Sequence, residues 1–197
     1  MLEKFIVFFL RLLFPYLCYG CGSPGALFCS CCLEKLSLES KAGRCLHCFR
    51  YLNCNEINVC CHCLPTSCIH TLSLYKPTKV ALSIYFRACD GKLPALQFFI
   101  RSIQQCWETW TCPPTCVIYI ISKIPKEFIV SVAKSKNIPY YALWPGINKE
   151  KQIRKLPLTG PKCFLSTYPL TNSWYKAIEK SVAQPTLILS LFLSDLQ

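Results

Sequence analysis

Acidic residues and histidine are scarce in this chain of 197 residues. It contains ten acidic residues, of which only Asp90 and Asp195 are aspartates and no two are adjacent, and three histidines. A Ser-His-Asp or Cys-His catalytic arrangement therefore has few candidates, and none lies in a recognisable local signature. Lysine and arginine number 22, so the formal net charge is +12, which favours anionic partners such as nucleic acid, phosphorylated ligands or an anionic membrane surface.

Long apolar runs are also missing. The most apolar stretch begins at Phe5, is interrupted by Arg11 and stops at Pro15, whereas a helix needs about twenty apolar residues to cross a bilayer. We therefore expect no integral membrane span and a cytoplasmic protein, in which residues 1–17 form a short apolar helix that docks on the rest of the chain. Membrane or secretory use of this segment is the alternative.

Cysteine, by contrast, is abundant, with 17 residues, most of them in the first third of the chain. An odd number excludes a fully paired disulfide framework, and clustering is typical of metal sites. Four C-x-x-C pairs each place two thiolates on one turn, at a separation that lets both reach one tetrahedral Zn(II) at about 2.3 Å. The eight predicted zinc ligands are Cys18, Cys21, Cys29, Cys32, Cys45, Cys48, Cys60 and Cys63.

Two such pairs complete one four-cysteine site, so the spacing predicts two structural zinc ions per chain within residues 18–68. The short gaps between consecutive pairs favour pairing in sequence order over a cross-braced arrangement. Cys31, Cys61, His47 and His62 adjoin the pairs or lie inside them, and we interpret them as non-ligands because the C-x-x-C spacing fits a tight turn best. A disulfide-rich secreted or envelope protein is the alternative to zinc.

Beyond Cys68 the sequence alternates between apolar strands and helices. Strands are predicted at 71–75, 116–121, 139–143, 163–166 and 186–193. Helices are predicted at 78–89, 94–110, 126–136 and 172–182, and a polar loop extends from 143 to 161. This alternation predicts an α/β protein in which a doubly wound parallel sheet, residues 69–197, follows the small Cys-rich zinc module.

The chain resembles the ComF family of competence-associated proteins, which combine an N-terminal zinc module with a C-terminal phosphoribosyltransferase-type domain. The matching residues are Leu13-Phe14-Pro15, the four cysteine pairs with Phe28 and Leu33, and Leu74-Tyr75. The resemblance places 117–122 at the family's first sheet strand and 187–193 at the strand that leads into its phosphoribosyl diphosphate loop. It implies a phosphoribosyltransferase-like sheet and a role in DNA uptake or processing with protein partners.

The residues that phosphoribosyl transfer needs in such a family are absent. The last strand should lead into two adjacent acidic residues and a Thr/Gly-rich loop whose backbone N–H groups cradle a phosphate. The chain instead continues through Asp195 to Gln197. We therefore expect an incomplete, degenerate domain without catalytic residues, in a zinc-binding protein that acts in nucleic-acid or protein interaction. The alternative is a phosphoribosyltransferase-type enzyme with an unconventional or truncated site.

A basic segment after the strand at 139–143 is the candidate nucleic-acid contact. Its four cations are predicted to ring the carboxyl end of the sheet, where ligands of doubly wound sheets gather, and Lys162 is a further cation considered with them. Exposed aromatic residues such as Tyr140 or Trp144 would stack on single-stranded DNA. A solvated loop is the alternative. The four predicted contact residues are Lys149, Lys151, Arg154 and Lys155.

Overall fold

A computed structural model describes residues 2–36, 45, 68–108, 110, 112–121, 124, 126–146, 148–156 and 159–192. The helices are α1 (Leu2–Leu13), α2 (Ser30–Lys35), α3 (Lys79–Cys89), α4 (Leu93–Glu108), α5 (Lys126–Ser135), α6 (Lys149–Arg154) and α7 (Asn172–Ser181). The strands are β1 (Ile69–Tyr75), β2 (Cys116–Ile120), β3 (Tyr140–Leu143), β4 (Lys162–Ser166) and β5 (Thr186–Phe192).

The five strands form one parallel sheet in the order β1-β5-β4-β2-β3. Every residue of β2, β4 and β5 is buried, as expected for central strands of a parallel sheet with both faces covered, whereas β3 lies at an edge and exposes Tyr140. Apolar runs in the sequence predicted these strands because a strand buried on both faces has no polar side. The predicted α/β class and parallel sheet are thus confirmed.

Helices cover both faces of the sheet. Helices α3, α4 and α5 pack on one face, which receives Val117 and Tyr119 from β2, while α6 and α7 pack on the other, which receives Ile118 and Ile120. The connections from β1 to β2 and from β2 to β3 lead toward the β3 edge of the sheet and pass over the first face. The connections from β3 to β4 and from β4 to β5 lead away from that edge and pass over the second face. All crossovers therefore have the same hand, as the right-handed rule for parallel strands requires.

Aromatic side chains fill the larger core around Phe99 of α4. The Phe99 ring meets Tyr75, Tyr85 and Phe192 edge to face, with centroids 5.9, 6.0 and 6.2 Å away. Edge-to-face contacts place the positive ring edge against a negative ring face. This cluster ties β1, α3, α4 and β5 together.

The segment predicted as a polar loop from 143 to 161 contains helix α6, so that prediction was wrong. Asn148 caps the helix, its side-chain oxygen accepting a hydrogen bond from the Lys151 amide N–H at 3.0 Å. Ile153 is fully buried and anchors the helix to the second core. With one buried apolar residue in six positions, the helix has no apolar periodicity for sequence analysis to detect.

The predicted docking of the N-terminal helix was also wrong. Residues 3–13 of α1 are all exposed, and Phe5, Phe8 and Leu12 each expose more than 60% of their surface. In the described parts of the chain, no helix combines the length and apolar character needed to cross a membrane.

Candidate metal centre

Two short turns carry the first four cysteines of the predicted zinc set. We call residues 17–24 the first knuckle. Its ends are held by an isolated antiparallel bridge between Leu17 and Pro24 and by a 2.8 Å hydrogen bond from the Cys18 amide to the Ser23 carbonyl. Gly22 has a φ of +77°, a backbone conformation that side chains disfavour, and this conformation folds the chain back after Cys21.

We call residues 29–33 the second knuckle. Cys29 is extended and stands at the N-cap of α2, and its carbonyl accepts hydrogen bonds from the amides of Cys32 and Leu33 at 3.1 and 3.0 Å. One helical turn therefore brings the Cys32 side chain back beside that of Cys29. The C-x-x-C spacing works here because three residues complete this turn.

The two knuckles bring Cys18, Cys21, Cys29 and Cys32 together, with all four Sγ atoms within 4.8 Å of one another. The Sγ atoms of Cys21 and Cys29 are 3.7 Å apart. A disulfide requires about 2.05 Å, whereas a tetrahedral ion with four sulfur ligands at about 2.3 Å sets its sulfur atoms roughly 3.8 Å apart. This four-cysteine group therefore has the geometry to hold a metal ion.

Hydrogen bonds make two of the thiols acidic. Burial raises the pKa of Cys18, but the backbone N–H groups of Cys29, Cys21 and Gly20 outweigh it and lower that pKa to about 6. The Cys29 amide lies 3.4 Å from the Cys18 sulfur. The Ser23 hydroxyl, 3.1 Å from the Cys21 sulfur, lowers the pKa of that thiol. Thiolates are the form that binds metal, so these bonds favour binding at neutral pH.

The Cys32 thiol behaves in the opposite way. Burial raises its pKa, and the three neighbouring cysteines raise it further, because a second negative charge beside the first is unfavourable without a cation. A divalent cation held by these four cysteines would remove this repulsion, and its binding would release protons from the thiols that are still protonated.

The four-cysteine group packs against the α/β part of the chain. Ser83 of α3 donates a 2.6 Å hydrogen bond to the carbonyl of Tyr19. The Phe28 ring stacks on Phe98 of α4 at 5.4 Å and meets Tyr19 edge to face at 5.5 Å. Gly20 is so close to α3 that a Cβ there would lie 2.9 Å from Val80 Cγ1. No sequence signal predicted this contact with α3 and α4, although Phe28 is one of the residues that carry the ComF resemblance.

Of the four cysteines predicted to hold the second zinc ion, the structure describes one. Cys45 is fully buried, whereas Cys48, Cys60 and Cys63 lie outside the described residues, as do His47, Cys61 and His62. Cys31 is exposed and is not part of the four-cysteine group, in agreement with its interpretation as a non-ligand. Over the described ranges, the four-cysteine group is the one set of three or more metal-binding side chains that converge.

The predicted nucleic-acid contact lies on helix α6 instead of a loop. The Lys149 ammonium group hydrogen-bonds to the Ser173 hydroxyl and lies 5.0 Å from the Trp174 ring centroid, so α7 holds this side chain. Lys151, Arg154 and Lys155 line an open groove of about 270 Å³ together with Asn148 and Glu150. The predicted aromatic residues Tyr140 and Trp144 are both exposed.

Lys162, which was considered with these cations, is not part of that basic surface. It is the first residue of β4, at the amino end, and only 1% of its surface is exposed. Its ammonium group donates to the Gly160 carbonyl and to Gln184 Oε1, both at 3.1 Å, and burial lowers its pKa. Lys162 is therefore a buried, hydrogen-bonded residue of the sheet.

Comparison with known proteins adds no relative: no family model, no curated protein and no solved structure matches this chain. The resemblance to the ComF family accordingly stays a prediction, and the assignment of function depends on the residues and their geometry.

Proposed function

We propose that the protein is a zinc-binding, non-catalytic, ComF-like protein that acts by binding nucleic acid. The observation that carries the proposal is the convergence of four cysteine sulfur atoms within 4.8 Å. Sulfur-only ligand sets select Zn(II) or iron–sulfur clusters, and the tetrahedral spacing for a single ion favours Zn(II). A second zinc ion, held by Cys45, Cys48, Cys60 and Cys63, completes the proposed pair.

The proposed role of the first zinc ion is structural. Within residues 14–36 the buried residues are Cys18, Cys32 and Leu36, so this part of the chain has too few apolar side chains to form a core of its own. A metal ion replaces the core in such small modules, and its binding free energy is folding free energy. Four protein ligands also close the coordination sphere, which leaves no open position for a substrate or a catalytic water.

The proposed partner is single-stranded nucleic acid, bound along the groove of α6. Three cations, Lys151, Arg154 and Lys155, line that groove beside one carboxylate, Glu150. Glu150 pairs with Arg154 at 4.0 Å and with Lys180 at 3.6 Å, but exposed pairs of this kind contribute little and release their cations to a phosphate readily. The exposed Trp144 ring supplies a stacking surface near the start of the helix. The resemblance to DNA-uptake proteins supports the same class of partner.

Zinc content tests the first part of this proposal. Protein purified without added metal should carry two zinc ions per chain by elemental analysis. Cys18→Ser should remove about one ion and destabilise the knuckles, whereas Cys31→Ser, an exposed cysteine on the same helix outside the group, should keep both. Zinc close to zero in folded parent protein, or equal loss in both variants, would contradict the proposal.

Binding of a labelled oligonucleotide tests the second part. Replacing Lys151, Arg154 and Lys155 by alanine should weaken binding and flatten the plot of log affinity against log salt by about two units, since each phosphate contributes roughly −0.7. Lys149 is left in place because it packs on Trp174.

The matched control carries the same loss of charge on the opposite face of the sheet, with Lys126, Lys134 and Lys136 of α5 and its C-terminal end replaced by alanine. Equal affinity and slope in the two triple variants would refute the α6 contact. Magnesium-dependent binding of phosphoribosyl diphosphate at millimolar concentration would instead favour the transferase alternative, for which we expect no binding.

A further inference from the structure

Helix α1 presents apolar side chains to solvent along its whole length. Phe5, Phe8 and Phe9 expose 68, 62 and 56% of their surface, and the exposure continues beyond the helix at Phe14, with 75%. Isolated exposed apolar residues are common in proteins, but a contiguous surface of this size marks a site of interaction. The exposed apolar residues of this segment are Phe5, Ile6, Val7, Phe8, Phe9, Leu10, Leu12, Leu13, Phe14, Tyr16 and Leu17.

The helix is nevertheless amphipathic. At about 100° per residue, Lys4 and Arg11 are two turns apart and lie within roughly 20° of each other on the helix surface. Viewed down the helix axis, an arc of about 200° on the other side contains only apolar side chains. In order around the axis they are Phe8, Leu12, Phe5, Phe9, Leu13, Ile6 and Leu10. The remaining arc of about 160° holds Lys4 and Arg11 together with Glu3 and Val7, so this narrower side is polar and carries one net positive charge. Arg11 also lies 5.5 Å from the Tyr16 ring centroid.

The width of the apolar side distinguishes a lipid from a protein partner. A helix that packs on one protein surface buries a stripe of roughly 100°, which would leave half of this arc in water. The twelve residues of α1 span about 18 Å, which is less than the roughly 30 Å hydrocarbon core, so these residues do not cross it by themselves. A helix lying in the membrane interface buries the whole arc and keeps its charged side among the headgroups.

We infer that α1 binds the surface of an anionic membrane, with its phenylalanine side inserted below the headgroups and Lys4 and Arg11 paired with lipid phosphates. Charge complementarity selects the anionic surface: the headgroup side carries two cations against one carboxylate, Glu3, and the chain as a whole carries a formal charge of +12. The inference is independent of the proposed zinc and nucleic-acid functions, because it rests on the amphipathic helix α1 and the overall positive charge and uses neither the four-cysteine group nor the α6 groove.

Flotation of the full chain with lipid vesicles tests the inference. The protein should float with vesicles of phosphatidylcholine and phosphatidylglycerol, and much less with phosphatidylcholine alone. Phe5→Glu combined with Phe9→Glu should weaken binding about a hundredfold or more, because two large apolar side chains are lost from the inserted side. Lys4→Gln combined with Arg11→Gln should weaken binding roughly 25-fold, at about fivefold per cation.

The matched control is Phe86→Glu, since Phe86 on α3 exposes 61% of its surface and is an exposed phenylalanine outside α1. This variant should float like the parent. Because the α1 side chains are exposed, its variants should keep the parent's zinc content and circular dichroism, so a loss of flotation cannot come from unfolding.

Three results would overturn the inference. The first is failure of the parent to float with anionic vesicles, and the second is equal flotation with anionic and neutral vesicles or equal loss in the Phe86 control. The third is concentration-dependent self-association in sedimentation velocity that disappears with the Phe5 and Phe9 substitutions while no flotation is seen. That third result would assign the apolar side of α1 to a second copy of the chain.

Discussion

Substitution of Gly20 by alanine adds one methyl group where the four-cysteine group contacts helix α3, and it therefore tests that contact. A Cβ added there would lie 2.7 Å from the Cys32 sulfur and 2.9 Å from Val80 Cγ1. Non-bonded heavy atoms rest at about 3.5 to 4.0 Å, so both contacts are roughly 1 Å too short. Gly20→Ala must therefore push the first knuckle away from α3, move Cys32, or do both.

The expected cost follows from the overlap. Inserting a methyl group into a packed position costs about 1 to 3 kcal/mol, and a loss of about 2 kcal/mol corresponds to a fall in Tm of about 4 to 8 °C for a chain of this size. Displacing a sulfur ligand by a few tenths of an ångström also distorts the coordination geometry, for which we expect a loss of about 10- to 100-fold in zinc affinity. Thermal unfolding and competition with a chromophoric chelator measure the two effects.

Two further variants separate metal binding from general stability. Gly91 has a φ of +76° and no atom within 4 Å of an added Cβ, so Gly91→Ala should cost about 1 to 2 kcal/mol in backbone strain and leave zinc affinity unchanged. Adding Val80→Ala to Gly20→Ala removes one of the two clashes. It should restore part of the Tm but not the zinc affinity, because the contact with Cys32 remains. If Gly20→Ala keeps the parent's zinc affinity, or loses no more than Gly91→Ala, the assigned geometry is wrong.

Other perturbations test the docking surface and the core. Ser83→Ala removes the hydrogen bond to the first knuckle and should lower the free energy of unfolding by about 1 kcal/mol in urea titrations, with zinc content unchanged. Phe28→Ala removes the ring stacked on Phe98 and should cost about 2 kcal/mol, whereas Phe86→Ala, an exposed aromatic, should cost much less; similar losses would refute the docking contact. Burial raises the pKa of Tyr85 above its ordinary 10.0, so the unfolded chain releases this proton first and the folded state loses stability as pH rises above about 10. Tyr85→Phe should reduce that alkaline loss, and an identical pH profile for parent and variant would contradict it.

The four-cysteine group shows how much cysteine spacing alone can predict. Cys18, Cys21, Cys29 and Cys32 were selected because a C-x-x-C turn brings two sulfur atoms to one point, and this is a local property that needs no tertiary information. The same reasoning set Cys31 aside, and the structure leaves it exposed. How these turns meet α3 and α4 could not be predicted, since Gly20 contacts Val80 and Phe28 contacts Phe98, which are 60 and 70 positions further along the chain.

The basic residues show the opposite case. Lys149, Lys151, Arg154 and Lys155 were grouped as one contact because they are close in sequence. In the structure Lys149 is held by α7 and the other three line a groove on α6. Lys162 was added to them by its charge, yet the sheet buries it at its amino end. The sequence shows that a residue is a lysine and carries a charge. It does not show which end of a strand the residue occupies in the fold or which residues surround it there.

The parallel sheet and the cysteine turns could be predicted from local sequence patterns. Fully buried strands such as Thr186–Phe192 have no polar side, and a metal-binding turn is complete within four residues, so both leave a local signal. Exposure to water, by contrast, could not be predicted: the apolar helix Leu2–Leu13 is exposed and Lys162 is buried. The polar stretch at Lys149–Arg154 also forms a helix that local patterns did not indicate. These outcomes depend on contacts between residues that are far apart in the sequence. Whether a side chain is buried depends on which distant residues pack against it, and the local sequence does not contain that information.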